Sequence, residues 1–324
     1  MSYRAFCFSV LMSLWSGYAA AQATANVYPS RPVTFLVGYA AGTGIDTTAR
    51  FYADRLRELT GQPVLVINKV GAVGNIAASE VVRASPDGYT LLVTPNSTLT
   101  TNPHLLKKMP FDPVKDLTPV APIGKWGAIL LVNPQTTPVK NVQELSALMK
   151  SQPGKLNFGS GNFTGRAAGE LYKVRAGVDA THVPYKSVPA ALTDLAAGQL
   201  NFMFADVLTG LPQARQGKLR ALAVTTAKRI SVASEIPTMQ EAGVSNYELI
   251  NWFAVFAPVG VPPMVTQRIT ELFNQVTHST AAVEFYERVG GEPYAGSADA
   301  LGKLIEADTK EWGRLVKAAG IEPE

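Results

Sequence analysis

Val33-Thr34-Phe35-Leu36-Val37, Gly38-Tyr39-Ala40-Ala41-Gly42-Thr43-Gly44 and Ile45-Asp46-Thr47-Thr48-Ala49-Arg50 follow one another without a gap, and together they decide the fold. The first run is short and rich in branched side chains, as a buried strand is. The second is a glycine turn. The third opens a helix whose apolar residues fall at 45, 49, 52, 56 and 59 before Gly61 closes it. The unit then recurs, with a strand expected over 64–67, a helix over 75–84 and a third strand over 89–93. Strands that alternate with helices run parallel, because each helix returns the chain to the starting edge, and such crossovers are right-handed. The class is therefore α/β.

Between 111 and 138 the alternation loosens. Pro110, Pro113, Pro119, Pro122, Pro134 and Pro138 punctuate short extended pieces such as 128–132, which reads as the passage into a second lobe. There the pattern resumes, with helices expected over 142–150, 165–176, 189–197 and 208–216 and strands over 156–158, 181–184, 200–204 and 219–225. Asn141 and Glu144 are spaced as a capping pair. A strand-like run over 252–257 leads into helices over 263–277, 281–289 and 298–319, read as a return to the first lobe. The expected organisation is 22–126 with 253–324 as lobe I and 127–252 as lobe II. Two crossings join them around a cleft that can hinge.

Two turns share a pattern. Gly42-Thr43-Gly44-Ile45-Asp46-Thr47 and Gly159-Ser160-Gly161-Asn162-Phe163-Thr164 both read G-x-G-x-x-T between a strand and a helix, and Gly71-Ala72-Val73-Gly74 before the helix at 75 is similar. Glycines there let backbone N–H groups converge beside a helix N-terminus, which holds an anion without a charged side chain. Ligands of open α/β sheets sit outside the carboxyl ends of the strands, where all three turns fall. The residues expected to meet a ligand are Ala41, Gly42, Thr43, Gly44 and Asp46 in the first turn, Gly71 and Ala72 in the third, and Ser97 beyond the third strand. The second lobe adds Ser160, Asn162, Phe163, Thr164, Arg166 and Asp206. Arg166 stands out because a guanidinium grips a carboxylate in a bidentate pair. Asp46 suits either a helix cap or a ligand acceptor.

The rest of the composition excludes several classes. The formal charge is +4, and no basic run exceeds the pair Lys107-Lys108, so the electrostatic footprint of a nucleic-acid binder is missing. His104, His182 and His278 are far apart and make no metal-ligand spacing; there is no G-x-S-x-G elbow and no P-loop lysine. The first glycine turn departs from the dinucleotide fingerprint at Thr47, and Asn68-Lys69 stand where an acid would follow the second strand. No enzyme and no cofactor is expected. Residues 1–21, with Arg4, a short apolar run and Ala19-Ala20-Ala21, read as a cleavable signal peptide, so the expected address is the periplasm. Its removal takes away Cys7, the single cysteine, leaving a mature chain without thiols.

Beyond this, the sequence resembles the Bug or TctC-type extracytoplasmic solute receptors, the binding subunits of tripartite tricarboxylate transporters. The resemblance rests on Tyr28-Pro29-Ser30-Arg31-Pro32, Ala40-Ala41-Gly42 through Asp46 to Arg50, and Val70-Gly71-Ala72-Val73-Gly74-Asn75-Ile76. Pro86-Asp87-Gly88-Tyr89-Thr90-Leu91-Leu92 is the most specific stretch, supported by Val183-Pro184-Tyr185-Lys186, Ala197-Gly198-Gln199-Leu200, Arg220-Ala221-Leu222-Ala223-Val224 and Pro237-Thr238-Met239-Gln240-Glu241-Ala242-Gly243. It implies a type II periplasmic-binding-protein fold that closes as a monomer over a small carboxylate, a dicarboxylate among the candidates, and delivers it to the membrane subunits of a transporter. A sensory receptor for a signalling partner, or a secreted hydrolase or isomerase acting on an acid, are the alternatives. The family commonly has two adjacent glycines where this chain has Gly42-Thr43, a proline at Val70 and a histidine near Arg166. With Phe163 beside Arg166, these departures suggest a larger or aromatic acid.

Overall fold

The computed structural model describes residues 28–318 and 322–323, so the expected signal peptide and its cleavage site lie outside the described residues. The chain enters at β1 (Val33–Val37), turns into α1 (Gly44–Thr60) and returns on β2 (Val64–Asn68). A short 3-10 turn (Ala72–Gly74) then leads into α2 (Asn75–Val82) and on to β3 (Thr90–Pro95). β1 pairs in parallel with β2 on one side and β3 on the other. The apolar stripe of α1, Ile45, Ala49, Tyr52 and Leu56, is buried against Phe35, Val37 and Leu91 of that sheet. Burial of the larger of these contributes about 1.5–3 kcal/mol per side chain. Gly61 ends the helix in the left-handed conformation, φ 70°, its N–H on the Arg57 carbonyl.

A wide helical turn (Ser97–Thr101) and the one-turn α3 (Asn102–Leu105) precede β4 (Leu117–Val132). Here the sequence expectation needs correction, because the middle of the proline-punctuated passage, from Leu117 to Val132, is one strand of 16 residues. Pro119 and Pro122 fit because the ladder to β9 shifts register beside each of them, between Pro119 and Ala121 and between Pro122 and Gly124. The skipped residues, Val120 and Ile123, are fully buried. Their carbonyls accept from side chains instead: Thr270 Oγ1 donates to Val120 at 2.9 Å, and Tyr52 Oη (2.8 Å) and Tyr286 Oη to Ile123.

Beyond β4 come α4 (Val142–Ser151), β5 (Asn157–Ser160), α5 (Phe163–Ala176), β6 (Thr181–Pro184), α6 (Val188–Ala196), β7 (Phe202–Asp206), α7 (Val207–Arg215) and β8 (Arg220–Val224). Asn141 Oδ1 accepts from the Glu144 N–H at 2.8 Å while Glu144 Oε2 accepts from Lys140 N–H at 2.7 Å, so the expected capping pair forms. The chain returns on β9 (Ile250–Pro258) to α8 (Pro263–Thr277), α9 (Thr280–Val289), β10 (Glu292–Pro293) and α10 (Ala298–Ala318).

Two sheets result. The first has the order β2-β1-β3-β9-β4, with β10 on the far side of β4; the second has β4-β7-β5-β6, with β8 also on β4. β4 belongs to both: Leu117–Gly127 pair with β9, and Ala128–Val132 with β7 and β8. α10 is shared as well. Leu301 and Ile305 pack with Leu36, Leu92 and Phe256 of the first sheet, whereas Trp312 packs with Phe158, Phe204 and Tyr247 of the second lobe.

Candidate ligand cleft

Three turns of the first lobe meet at the carboxyl ends of β1 and β3. A Cβ on Gly38 would lie 2.4 Å from the Gly74 Cα, so the 38–44 and 71–74 turns touch through backbone. Asn102 Nδ2 donates to the Val73 carbonyl at 3.1 Å, and the hydroxyls of Tyr39 and Thr98 approach the same oxygen at 3.3 and 3.4 Å. The turn held this way is strained, with φ of 46° at Ala72 and 51° at Val73. A branched residue in the left-handed region costs on the order of 1–3 kcal/mol. The three donors on one carbonyl oppose that cost. Ala41, Gly42, Gly44 and Ala72 are exposed on this rim, and Thr43, Gly71 and Ser97 are half-buried. The Thr43 hydroxyl is turned inward, donating to the Ala40 carbonyl at 2.7 Å.

Asp46 faces away from the rim. It is 2% exposed, and its oxygens accept from Gly42 N–H at 2.8 Å, Arg50 Nε at 3.0 Å and Asn68 Nδ2 at 2.8 Å, with Arg50 Nη2 at 3.0 Å completing an ion pair. Burial pushes its carboxyl up, but the hydrogen bonds from Arg50, Asn68 and Gly42 outweigh burial and hold it below the usual carboxylate value. With its oxygens occupied by donors of its own lobe, Asp46 shapes the glycine turn.

In the second lobe Asn162 caps α5, its Oδ1 accepting from Gly165 N–H at 2.8 Å, and its Nδ2 lies 3.5 Å from Asp206 Oδ2 at the end of β7. Burial pushes the Asp206 carboxyl up. Ser160, 5% exposed, shares a 2.7 Å hydrogen bond with His182 Nε2. Burial first, then the positive charges of Arg166 and Lys173, push the His182 imidazole down to about 4, so it is neutral at ordinary pH. Arg166 thus lies on the Ser160–His182 flank, and its buried Nε has no hydrogen-bond partner among the described residues. Phe163 points elsewhere, its ring 5.4 Å from that of Trp312 on α10.

The two G-x-G-x-x-T turns converge on β9. Gly44 lies against Phe253, whose Cζ is 4.0 Å from where a Cβ on Gly44 would be, and Thr164 Oγ1 donates to Asn251 Oδ1 at 3.1 Å. Asn251 and Phe253 are two residues apart and share one face of the strand. Trp126, half-buried, packs on Phe253 with ring centroids 4.2 Å apart and ring planes tilted by 36°, and forms an apolar wall there, whereas Trp252, on the other face, is fully buried in the first-lobe core. Sequence reasoning missed His182, Asn251 and Phe253. Each enters through strand pairing, a signal that no local pattern carries.

The sequence profile described as tripartite tricarboxylate transporter family receptor (TctC) matches residues 48–321. Protein BugT of Bordetella pertussis is 31% identical over 306 residues, covering 94% of each chain. Among solved structures, an R. palustris protein with adipate has 35% identity and a TM-score of 0.82, covering 92% of this chain and 100% of its own. MatC from Rhodopseudomonas palustris with bound malate has 28% identity and a TM-score of 0.75, covering 89% and 100%. The two-lobed α/β architecture is thus the periplasmic-binding-protein fold of the Bug and TctC structures.

Proposed function

This chain belongs to the TctC family, the receptors of tripartite tricarboxylate transporters, and from that premise we propose that it captures a small dicarboxylate between its lobes, as a monomer in the periplasm, and delivers it to membrane transporter subunits. The family is one of binding receptors rather than enzymes. The observation that carries the dicarboxylate reading is the convergence of two matching glycine turns, one from each lobe, on Phe253 and Asn251. At a rise of ~3.3 Å per residue their anchor points are ~7 Å apart, the span of a short chain with an acid at each end. The Trp126–Phe253 wall between them suits methylenes. Relatives solved with adipate and with malate support the same class.

In this reading one carboxylate meets Ser97 and the backbone N–H groups of Ala41, Gly44, Gly71 and Ala72, since those of Gly42 and Thr43 already donate within their own turn. The other meets Asn162, Thr164 and the helix N-terminus of α5, with Arg166 supplying positive charge. Asp206, its carboxyl pushed up by burial, accepts from a hydroxyl of the solute or shares a proton with it. A thermal-shift screen against aliphatic and aromatic mono-, di- and tricarboxylates tests the reading. An acid at about a hundred times its dissociation constant adds near ~2.7 kcal/mol, a readily seen rise in melting temperature. Dicarboxylates are expected to respond and to be recovered unchanged; response to none of them, or conversion of the acid, refutes the reading.

A further inference from the structure

Where the Ser97–Thr101 turn, β9 and α10 meet, a polar cluster is set around the half-buried Asp308. Its Oδ2 accepts from Asn96 Nδ2 at 3.0 Å and from Thr100 Oγ1 at 2.9 Å. The indoles of Trp312 and Trp252 lie near this carboxylate and favour its charged form, while burial pushes the carboxyl up. All four are neutral, and a half-buried carboxylate without a cation is costly to keep.

Its position in the fold supplies a reason. Asp308 lies about one helical turn from Ile305, in the first-lobe core, and one from Trp312, in the second-lobe core. It therefore sits where α10 passes from one lobe to the other. Asn96, its partner, immediately precedes Ser97 on the cleft rim. The Asn96 N–H donates to the Trp252 carbonyl of β9 at 2.8 Å, and Thr100 Oγ1 also contacts the Asn96 carbonyl at 3.0 Å. Asn96 and Thr100 are fully buried, so the side chains that fix the Ser97 turn all point inward. Asn96 Oδ1, Thr101 Oγ1, Trp252 Nε1 and Thr309 Oγ1, four of the six buried side-chain polar atoms without a partner among the described residues, gather on the elements that meet here.

We propose that Asp308 is a positioning residue for solute capture: through Asn96 and Thr100 it ties the Ser97 turn to α10, a helix embedded in both lobes, so that the ligand turn and the lobe angle move together. The proposal rests on the reading of the cleft given above, with Ser97 among the groups that meet the solute.

The test uses the whole mature chain with adipate and malate as probes. Asp308→Asn is expected to weaken the binding of whichever acid the wild type takes by about tenfold, and Thr100→Val, which leaves the carboxylate in place, by a smaller factor in the same direction. Ser97→Ala and the double variant separate positioning from plain stabilisation. In the Ser97→Ala background Asp308→Asn should add less than about twofold to the loss of affinity while lowering the melting temperature as much as it does alone. Losses that multiply in the double variant, or equal affinity of wild type and Asp308→Asn, overturn the proposal. Amide hydrogen exchange gives a ligand-free readout. Residues 96–102 should exchange faster in Asp308→Asn or, if that variant does not fold, in Thr100→Val, and unchanged exchange also overturns it. A wild type that binds neither acid, yet whose variant shows the faster exchange, rejects the cleft reading and with it the role in capture, leaving the tie itself demonstrated.

Discussion

Replacing Asp46 by alanine tests how the first glycine turn is held. The substitution removes the acceptor for Gly42 N–H, Asn68 Nδ2 and the Arg50 guanidinium. The Arg50 side chain is 49% exposed and recovers water, so its share is screened and is set aside. The two remaining bonds go to a charged acceptor that is almost fully buried. Their loss, offset in part because Asn68 Nδ2 keeps the Tyr39 carbonyl at 2.9 Å, gives about 2–4 kcal/mol. In a chain of this size that lowers the melting temperature by about 5–10 °C. The pH dependence carries a sign. The Asp46 carboxyl is held below its unfolded value of 3.8, so its stabilisation is present above that value and lost as pH falls from there through the lower folded value. Thermal unfolding of wild type and Asp46→Ala from pH 7 down to pH 3 should therefore show a gap that narrows on acidification. A gap under about 1 °C at pH 7, or one that stays constant to pH 3, refutes the claim that Asp46 is the pin of the turn.

Three further outcomes follow from the geometry. Arg166→Ala should weaken dicarboxylate binding by about 1.5–3 kcal/mol in a calorimetric titration, and unchanged affinity removes Arg166 from the site. Gly38→Ala places a Cβ 2.4 Å from the Gly74 Cα, so backbone must move. It should lower stability by about 1–3 kcal/mol and weaken binding through the displaced 71–74 turn, measured by thermal unfolding with and without solute. His182, with its folded value near 4 against 6.5 unfolded, contributes stability that is full above 6.5 and lost as pH falls through about 4. The decline in melting temperature across that window should shrink in His182→Gln, and an identical profile contradicts the buried neutral imidazole.

Much of this fold was legible in the sequence because its units are local. The stripe of α1, the branched run of β1 and the Asn141–Glu144 cap each announce themselves within a few residues, and the strand–helix order then fixes the class. β4 was not legible as one strand, since Pro119 and Pro122 carry a breaker signal that only the bulged pairing with β9 cancels. The same limit applies to the cleft. Repeated glycine turns were visible, but the inward role of Asp46 depends on Asn68 from the next strand, 22 residues away. Phe163 was read towards the ligand, whereas its neighbour is Trp312 at the far end of the chain. An amphipathic pattern also says which face of α10 is buried without saying that two different cores share it.

Calorimetric titration of the mature protein with adipate and then malate, followed by recovery of the acid, decides whether the cleft is a dicarboxylate receptor. A dicarboxylate should bind at one site per chain, be released by dialysis and be recovered chemically unchanged. Binding of neither acid, a stoichiometry other than one, or an altered acid after incubation would contradict that reading.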